Sequence, residues 1–113
     1  MAQYILFLHE NPADFEKVSP AEMQAIVAKY MAWRQKMGAA GRIAGGHKLH
    51  DGTGRVIRGG VVTDGPYTEA KEVIGGIFVI NASSYEDAVE VARTCPHCEF
   101  GTVEVRQTEV VTG

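Results

Sequence analysis

The chain has 113 residues, of which 45% are hydrophobic and 22% charged, and its 11 basic and 14 acidic side chains give a formal net charge of -3. Such a composition predicts one folded domain over residues 1–113 and excludes a disordered tail or linker. The basic residues are scattered and form no stripe that would track a phosphate backbone, so we expect no nucleic-acid partner.

Membrane and secretory signals are absent from the sequence pattern. The longest apolar run, Tyr4 to Leu8, is far shorter than the roughly 20 residues that span a bilayer, and no basic segment precedes it as in a signal peptide. We therefore expect no membrane partner and a cytoplasmic location. Cys95 and Cys98 are too few for the disulfide framework of a small secreted domain, so reduced thiols are predicted.

The first half of the chain predicts a strand and then a long helix. Residues 3 to 8 are apolar at successive positions, which is typical of a strand covered on both faces. Ser19 can cap a helix, Pro20 suits its first turn, and Glu22 completes a capping box. The helix is predicted over about residues 20 to 38, with an apolar stripe of Met23, Ile26, Val27, Tyr30, Trp33 and Met37.

A hairpin is predicted next. Residues 42 to 49 read as a strand in which Gly45 and Gly46 produce a bend or admit a close backbone approach. The Asp51-Gly52-Thr53-Gly54 turn is predicted to reverse the chain into a third strand over residues 55 to 63.

The last third predicts strand, helix and strand. Residues 73 to 81 are apolar on both faces, Ser83 with Glu86 forms a second capping box, and Pro96 terminates the helix. Residues 102 to 106 alternate, as an end strand with one wet face should.

The order of these elements predicts an α+β, ferredoxin-like fold made of two βαβ-type halves. Two helices can cover only one face of the sheet, yet two strands are apolar on both faces. We expect a second copy to cover the other face in a twofold homodimer. The alternative is that the long hairpin folds back over this face within one chain.

Four segments of the chain together resemble the DGPF branch of the YCII-related proteins: Asp64-Gly65-Pro66-Tyr67-Thr68-Glu69-Ala70-Lys71-Glu72, Ile74-Gly75-Gly76, Cys95-Pro96 and Val103-Glu104-Val105-Arg106. The resemblance covers nearly the whole chain, with Tyr67 in place of the usual phenylalanine. It implies a ferredoxin-like fold of the dimeric α/β barrel type, with an antiparallel sheet, two helices on one face and an extra β-hairpin.

The same resemblance implies little about activity. Most of the family lacks an assigned reaction, some relatives are suspected of acid-base chemistry by a His and an Asp, and DGPF genes often lie near alternative sigma factors. Many relatives have a histidine on the first helix where this chain has Lys29-Tyr30. A dyad based on that histidine therefore does not carry over.

The Asp64 segment is the first candidate site, because Gly65 and Pro66 shape a loop that holds side chains in place. Asp64 is a candidate general base, and Lys71 is a candidate to hold an anionic group. Gly65, Pro66 and Glu69 are then candidate ligand-binding residues. The alternative is an Asx turn at Asp64 with solvated surface charges around it.

Two histidines extend this candidate site. His47 follows the glycine pair, and its pKa range suits proton transfer, although a hydrogen-bonded or exposed histidine is the alternative. His9 ends the first strand and is a candidate to join a cleft at the strand ends. His47 and His50 point to opposite faces of a strand and make a poor metal pair, so no metal site is predicted.

Cys95-Pro96-His97-Cys98 matches the CxxC motif of thiol oxidoreductases. Reactive thiols of that kind lie at a helix N-terminus, whereas Cys95 ends a helix, where the dipole would raise the thiol pKa. Core packing of Cys95 is the preferred interpretation. A zinc site here lacks a fourth ligand, and no cofactor is predicted.

Two functional hypotheses follow. The first is a dimeric, cofactor-free domain that binds a small polar or anionic molecule near Asp64, His47 and Lys71, with proton transfer as its chemistry. Whether it is an enzyme at all stays open. The second, which draws on the resemblance, is a non-catalytic interaction or regulatory module linked to sigma-factor transcription control.

Overall fold

Four strands form one antiparallel sheet whose spatial order differs from their order along the chain. The computed structural model describes residues 1–65 and 72–110. Its elements are β1 (Ala2–Glu10), α1 (Pro20–Ala39), β2 (Ile43–Lys48), β3 (Arg55–Arg58), β4 (Val61–Asp64), β5 (Val73–Ala82), α2 (Tyr85–Arg93) and β6 (Thr102–Gln107), with 3₁₀ helices at Pro12–Phe15 and Pro96–Glu99. The sheet order is β2-β5-β1-β6. This is the predicted ferredoxin-like α+β arrangement of two helices on an antiparallel sheet.

The core lies between the helices and one face of the sheet. Alternate residues of the two central strands point into it, because successive strand side chains face opposite sides. Leu6 of β1 and Ile80 of β5 are completely buried. The other buried apolar residues are Tyr4, Leu8, Trp33, Phe78, Ala82, Ala88, Val91, Ala92 and Cys95.

The opposite side of the sheet, called here the open sheet face, carries the intervening apolar residues of the same strands: Ile5, Phe7, Ile77 and Val79. Each of these side chains is only half-buried. The two central strands are therefore apolar on both sides, as their sequences predict. On the core side of the sheet, Gly46 of β2 lets the Phe78 ring lie close to it, because a Cβ there would lie 2.7 Å from Phe78 Cδ1.

Helix α1 begins where its capping residues predict. Ser19 Oγ accepts a hydrogen bond from the Glu22 backbone N–H at 3.1 Å. Of the predicted apolar stripe, Trp33 is buried, Val27 is 48% exposed and the other four residues are half-buried. Met31, which lies outside the stripe, is 66% exposed. Helical periodicity predicts that a face is apolar but not what that face contacts.

The predicted hairpin is wrong in its pairing. The strand at 42–49 does not pair with a strand at 55–63; β2 pairs with β5, and β3 pairs with β4 in a separate two-stranded sheet. The reversal occurs at Gly59 and Gly60, whose φ angles of 55° and 79° suit a tight two-residue hairpin turn. The turn at 51–54 instead connects the two sheets.

The N-cap of α2 lies one residue later than predicted. Ser84, not Ser83, accepts from the Asp87 backbone N–H at 3.1 Å. Ser83 donates to Asp87 Oδ2 through its backbone N–H, and Arg42 Nη2 approaches the same oxygen to 2.6 Å. Either Ser83 or Ser84 could cap α2. With Ser84 as the N-cap, the Asp87 carboxylate also accepts hydrogen bonds from Ser83 and Arg42.

Asp87 makes acid stability testable. The hydrogen bond from Arg42, followed by that from Ser83, lowers the pKa of Asp87 from 3.8 to about 2. Because the folded-state pKa is depressed, the carboxylate stabilises the fold fully above pH 4 and loses this effect as the pH falls toward 2. Thermal melts of the wild type and of Asp87→Asn should differ in Tm at pH 6 and converge near pH 2.

Asp51→Asn serves as the control, since Asp51 is an exposed acid paired with Lys48 at 2.7 Å. Its melting temperature should stay near that of the wild type throughout. A gap between wild type and Asp87→Asn that is equal at pH 6 and pH 2 would contradict the assignment.

Neither of the helices within residues 1–65 and 72–110 combines the length and apolar character needed to cross a membrane.

Candidate functional site

The predicted Asp64 site is only partly within the described residues. Asp64 ends β4 with a 91% exposed side chain, and its Oδ1 lies 3.4 Å from Arg55 Nη1. The Gly65 backbone N–H donates to the Gly54 carbonyl at 3.0 Å. Pro66, Glu69 and Lys71 lie outside the described residues.

His47 and His9 both lie on the open sheet face. The register pairs His47 with Ile77, and Ile77 with Phe7, so all three share one side of the sheet. His9, two residues after Phe7, has its Nε2 at 2.8 Å from Glu104 Oε1. Between residues that the structure describes, no hydrogen bond or ion pair joins Asp64 to His47. The set of Asp64, His47 and Lys71 therefore stays a prediction.

A different histidine, His97, is buried and hydrogen-bonded through both ring nitrogens. It lies in the 3₁₀ helix after α2 and is 2% exposed. Its Nδ1 is 2.8 Å from the Tyr30 hydroxyl of α1, and its Nε2 is 2.8 Å from the His9 carbonyl oxygen of β1. This one side chain thus connects a helix, a 3₁₀ helix and a strand.

The hydrogen bonds of His97 determine its tautomer. A carbonyl oxygen can only accept, so Nε2 must carry the proton that it donates to His9. In the neutral ring Nδ1 is then a lone-pair acceptor, and the Tyr30 O–H donates to it. The result is a directed chain from the Tyr30 phenol through the imidazole to the backbone of β1.

Local sequence places His97 in this position. Cys95 is buried in the core at 2% exposure, and Pro96 starts the 3₁₀ helix directly after it. Gly101 leaves room for the ring, because a Cβ there would lie 2.8 Å from His97 Nε2 and closer still to the His9 carbonyl oxygen. A side chain at position 101 would therefore separate His97 from His9.

The environment keeps Tyr30 protonated. Burial, followed by the neighbouring Cys95, Glu10 and Glu99, raises the pKa of Tyr30 well above its ordinary value. Each of these effects disfavours a free tyrosinate. Tyr30 can therefore donate or pass on a proton, but it does not serve as a standing phenolate base.

An aromatic cleft of about 360 Å³ adjoins this pair. Phe100 lines the cleft and also stacks on the Tyr30 ring, with centroids 6.2 Å apart. Phe15 lies 6.3 Å from Phe100 on the other side. The remaining lining residues are Val18, Ile26, Asp14, Glu22 and Glu99. An apolar floor and carboxylates suit an uncharged or cationic aromatic molecule better than an anion.

A second cleft, of about 570 Å³, lies at the end of the sheet. Its lining residues are Met1, Ala2, Gln3, Asn81, Gln107, Thr108, Glu109 and Val110, and they include no histidine. Met1 and Val110 are 83% and 91% exposed. It offers less acid-base chemistry than the cleft beside Tyr30.

Cys95 is packed in the core, as predicted. Burial raises the pKa of the Cys95 thiol to about 11. Burial is the main cause, rather than the helix dipole that the sequence suggested, since α2 already ends at Arg93. Cys98 is exposed. No group of three or more His, Cys, Asp or Glu residues suited to a metal ion occurs in the part of the chain that the structure describes.

Sequence reasoning missed the Tyr30–His97 pair. The sequence pattern places Tyr30 on an apolar stripe and His97 within a cysteine motif. One signal was the resemblance, which implies a helical histidine in many relatives near the Lys29-Tyr30 position. The residues are 67 apart in the sequence, so nothing local joined them.

The fold and the site together define a ferredoxin-like α+β domain in which a half-buried tyrosine and a buried histidine form a pair beside an aromatic cleft. The model of the YCII-related domain matches residues 2–111, so this chain belongs to the YCII-related family. No curated protein matches its sequence.

A solved structure supports the fold. The chain is similar to 5-chloro-2-hydroxyhydroquinone dehydrochlorinase (TftG) from Burkholderia phenoliruptrix AC1100, in complex with 2,5-dihydroxybenzoquinone. The two are 15% identical with a TM-score of 0.52, and the match covers 95% of this chain and 93% of the other. This likeness establishes the shared fold.

Proposed function

We propose that this protein binds a small polar aromatic molecule in the cleft beside Phe100 and transfers a proton from it through Tyr30 to His97. The observation that carries the proposal is the part-buried hydrogen bond from the Tyr30 hydroxyl to His97 Nδ1, at 2.8 Å. A buried histidine with Nε2 anchored to a carbonyl and Nδ1 accepting a hydrogen bond from a proton donor suits a general base.

The proposed transfer balances without a free tyrosinate. A ligand hydroxyl donates its proton to the Tyr30 oxygen as the phenol proton of Tyr30 moves to His97 Nδ1. The products are a deprotonated ligand, a neutral Tyr30 and an imidazolium at His97, which still donates to the His9 carbonyl. Concerted movement matters because the raised pKa of Tyr30 opposes a separate phenolate.

The structural neighbour adds support for an aromatic ligand. That protein is a dehydrochlorinase named for a chlorinated hydroxyhydroquinone, and its complex contains a dihydroxybenzoquinone. For this chain we propose only the ligand class, a small hydroxylated aromatic ring. In this cleft Asp14 and Glu22 disfavour an anionic ligand, whereas Glu99 is paired with Lys29 at 3.0 Å. The anionic ligand predicted near Lys71 concerns a different site.

The test is an NMR titration with hydroquinone and a set of other phenols that are uncharged at neutral pH. We expect shifts at Tyr30, His97 and Phe100, and binding weakened about tenfold by Tyr30→Phe, which removes the hydrogen-bonding hydroxyl. Tyr85→Phe is the matched control, since Tyr85 lies on α2 and is 46% exposed. Shifts confined to His47 and Asp64 would move the site to the predicted loop, and no shifts at all would sink the proposal.

We propose further that the protein is a cytoplasmic homodimer. The half-buried Ile5, Phe7, Ile77 and Val79 of the open sheet face support this, because apolar sheet faces are rarely left in water. Light scattering after size-exclusion chromatography tests it, and a monomer at micromolar concentration would contradict it.

The non-catalytic module remains the second candidate. The uncovered side chains Val27 and Met31 of α1 favour it, since they offer an apolar surface to another protein. In that case the phenol titration would show no binding, while Tyr30 and His97 would act only in packing.

A further inference from the structure

We propose that the β3–β4 hairpin is a docking arm that packs on the open sheet face of a second copy of the chain. This inference rests on the proposed homodimer and adds to it the element that makes the contact. The docking face of the hairpin is defined by Arg55, Ile57, Val62 and Asp64, which alternate onto one side of the two strands.

The hairpin lacks support from its own chain. In the described residues, its strands pair only with each other, and no backbone hydrogen bond joins them to the four-stranded sheet. An isolated two-stranded hairpin is only marginally stable in water. The radius of gyration, 15.6 Å, also exceeds the value of about 13 Å for a compact domain of this length. The hairpin therefore extends from the domain and needs a surface to pack on.

The two hairpin faces differ in a way that selects one of them. On the docking face Ile57 pairs directly with Val62, and these residues are 71% and 59% exposed. On the other face Val61 stands opposite Arg58, and Val56 stands opposite Thr63. Only the docking face thus presents a continuous apolar pair, and burial of such a pair favours association.

A second copy is the occupant that fits this arm. Each chain carries one uncovered hairpin face and one uncovered sheet face, and a twofold axis buries both kinds of surface twice in a closed assembly. Both surfaces also offer charges of each sign. The docking face holds the exposed Arg55 and Asp64, 3.4 Å apart, and the rim of the open sheet face holds Glu104 and Arg106, which pair in register with Phe7 and Ile5.

The experiment compares Val62→Glu with Val61→Glu by analytical ultracentrifugation. The two valines are neighbours with 59% and 62% exposure, but they face opposite sides of the hairpin. Val62→Glu should raise the dimer dissociation constant at least about tenfold, and Val61→Glu should change it less than about threefold. Circular dichroism verifies that both variants fold, as expected for exposed positions.

The outcomes separate the two proposals. A wild-type monomer would overturn both the homodimer and the docking arm. A stable dimer that Val62→Glu leaves intact, or that both variants weaken equally, would overturn the docking arm alone. Hydrogen exchange on the wild type adds a test without substitution: amides of residues 55–64 should exchange more slowly above the dissociation constant than below it. Equal exchange at both concentrations would also overturn the arm.

Discussion

Replacing Trp33 with alanine is expected to lower the free energy of unfolding by about 3–5 kcal/mol. Trp33 is 6% exposed, its ring packs edge-on against Phe78 with centroids 5.0 Å apart, and its Nε1–H donates to Thr94 Oγ1 at 2.8 Å. It is the buried residue of α1, so its loss removes the main attachment of that helix. Urea denaturation followed by circular dichroism measures the effect.

Trp33→Phe is the matched variant for this prediction. It keeps an aromatic ring beside Phe78 but loses the hydrogen bond to Thr94, so a smaller loss of about 1–2 kcal/mol is expected. Met31→Ala, at a 66% exposed position on the same helix, should change stability by less than about 0.5 kcal/mol. A Trp33→Ala protein as stable as Met31→Ala would show that α1 does not depend on this contact.

His97→Ala is expected to cost about 3 kcal/mol of stability and to abolish proton transfer. The substitution leaves the buried His9 carbonyl and the Tyr30 hydroxyl without their 2.8 Å partner and opens a cavity in the wall of the core. The imidazole is 2% exposed, so water does not replace the lost hydrogen bonds or fill the space of the ring freely. Chemical denaturation gives the stability change.

A double-mutant cycle separates packing from the hydrogen bond. Tyr30→Phe alone should cost about 1 kcal/mol, and the double variant should cost less than the sum of the two. His50→Ala is the control, because His50 is exposed and its Nδ1 lies 3.2 Å from Thr53 Oγ1, away from the His97 site. Strict additivity between positions 30 and 97 would mean that the two side chains are not coupled.

Local sequence patterns predicted the elements well for a simple reason. The capping group of Ser19 acts on a backbone N–H three residues away, and the alternation in β6 acts within one strand. Such interactions depend only on residues that are close together in the sequence. The same holds for β1. Its residues are apolar on both faces, which predicts that the face opposite the helices is apolar as well.

The wrong predictions concern places where the local sequence allows more than one strand pairing or more than one capping residue. Asp51-Gly52-Thr53-Gly54 and Gly59-Gly60 are both plausible turns, and only the pairing of β2 with β5 excludes the first as a hairpin. Ser83 and Ser84 are likewise both capable of capping α2. The contact between Arg42 and Asp87, 45 residues apart, accompanies the register that forms.

The resemblance carried by the DGP segment indicated the family, and the family match over residues 2–111 supports it. The sequence by itself determined the fold class, the start of α1 and the strands that are apolar on both faces. The tertiary structure decided the strand pairing and the meeting of Tyr30 with His97. The reason is physical: caps and periodicities depend on residues a few positions apart, whereas a site assembled from α1, β1 and the segment after α2 exists only once those elements have packed.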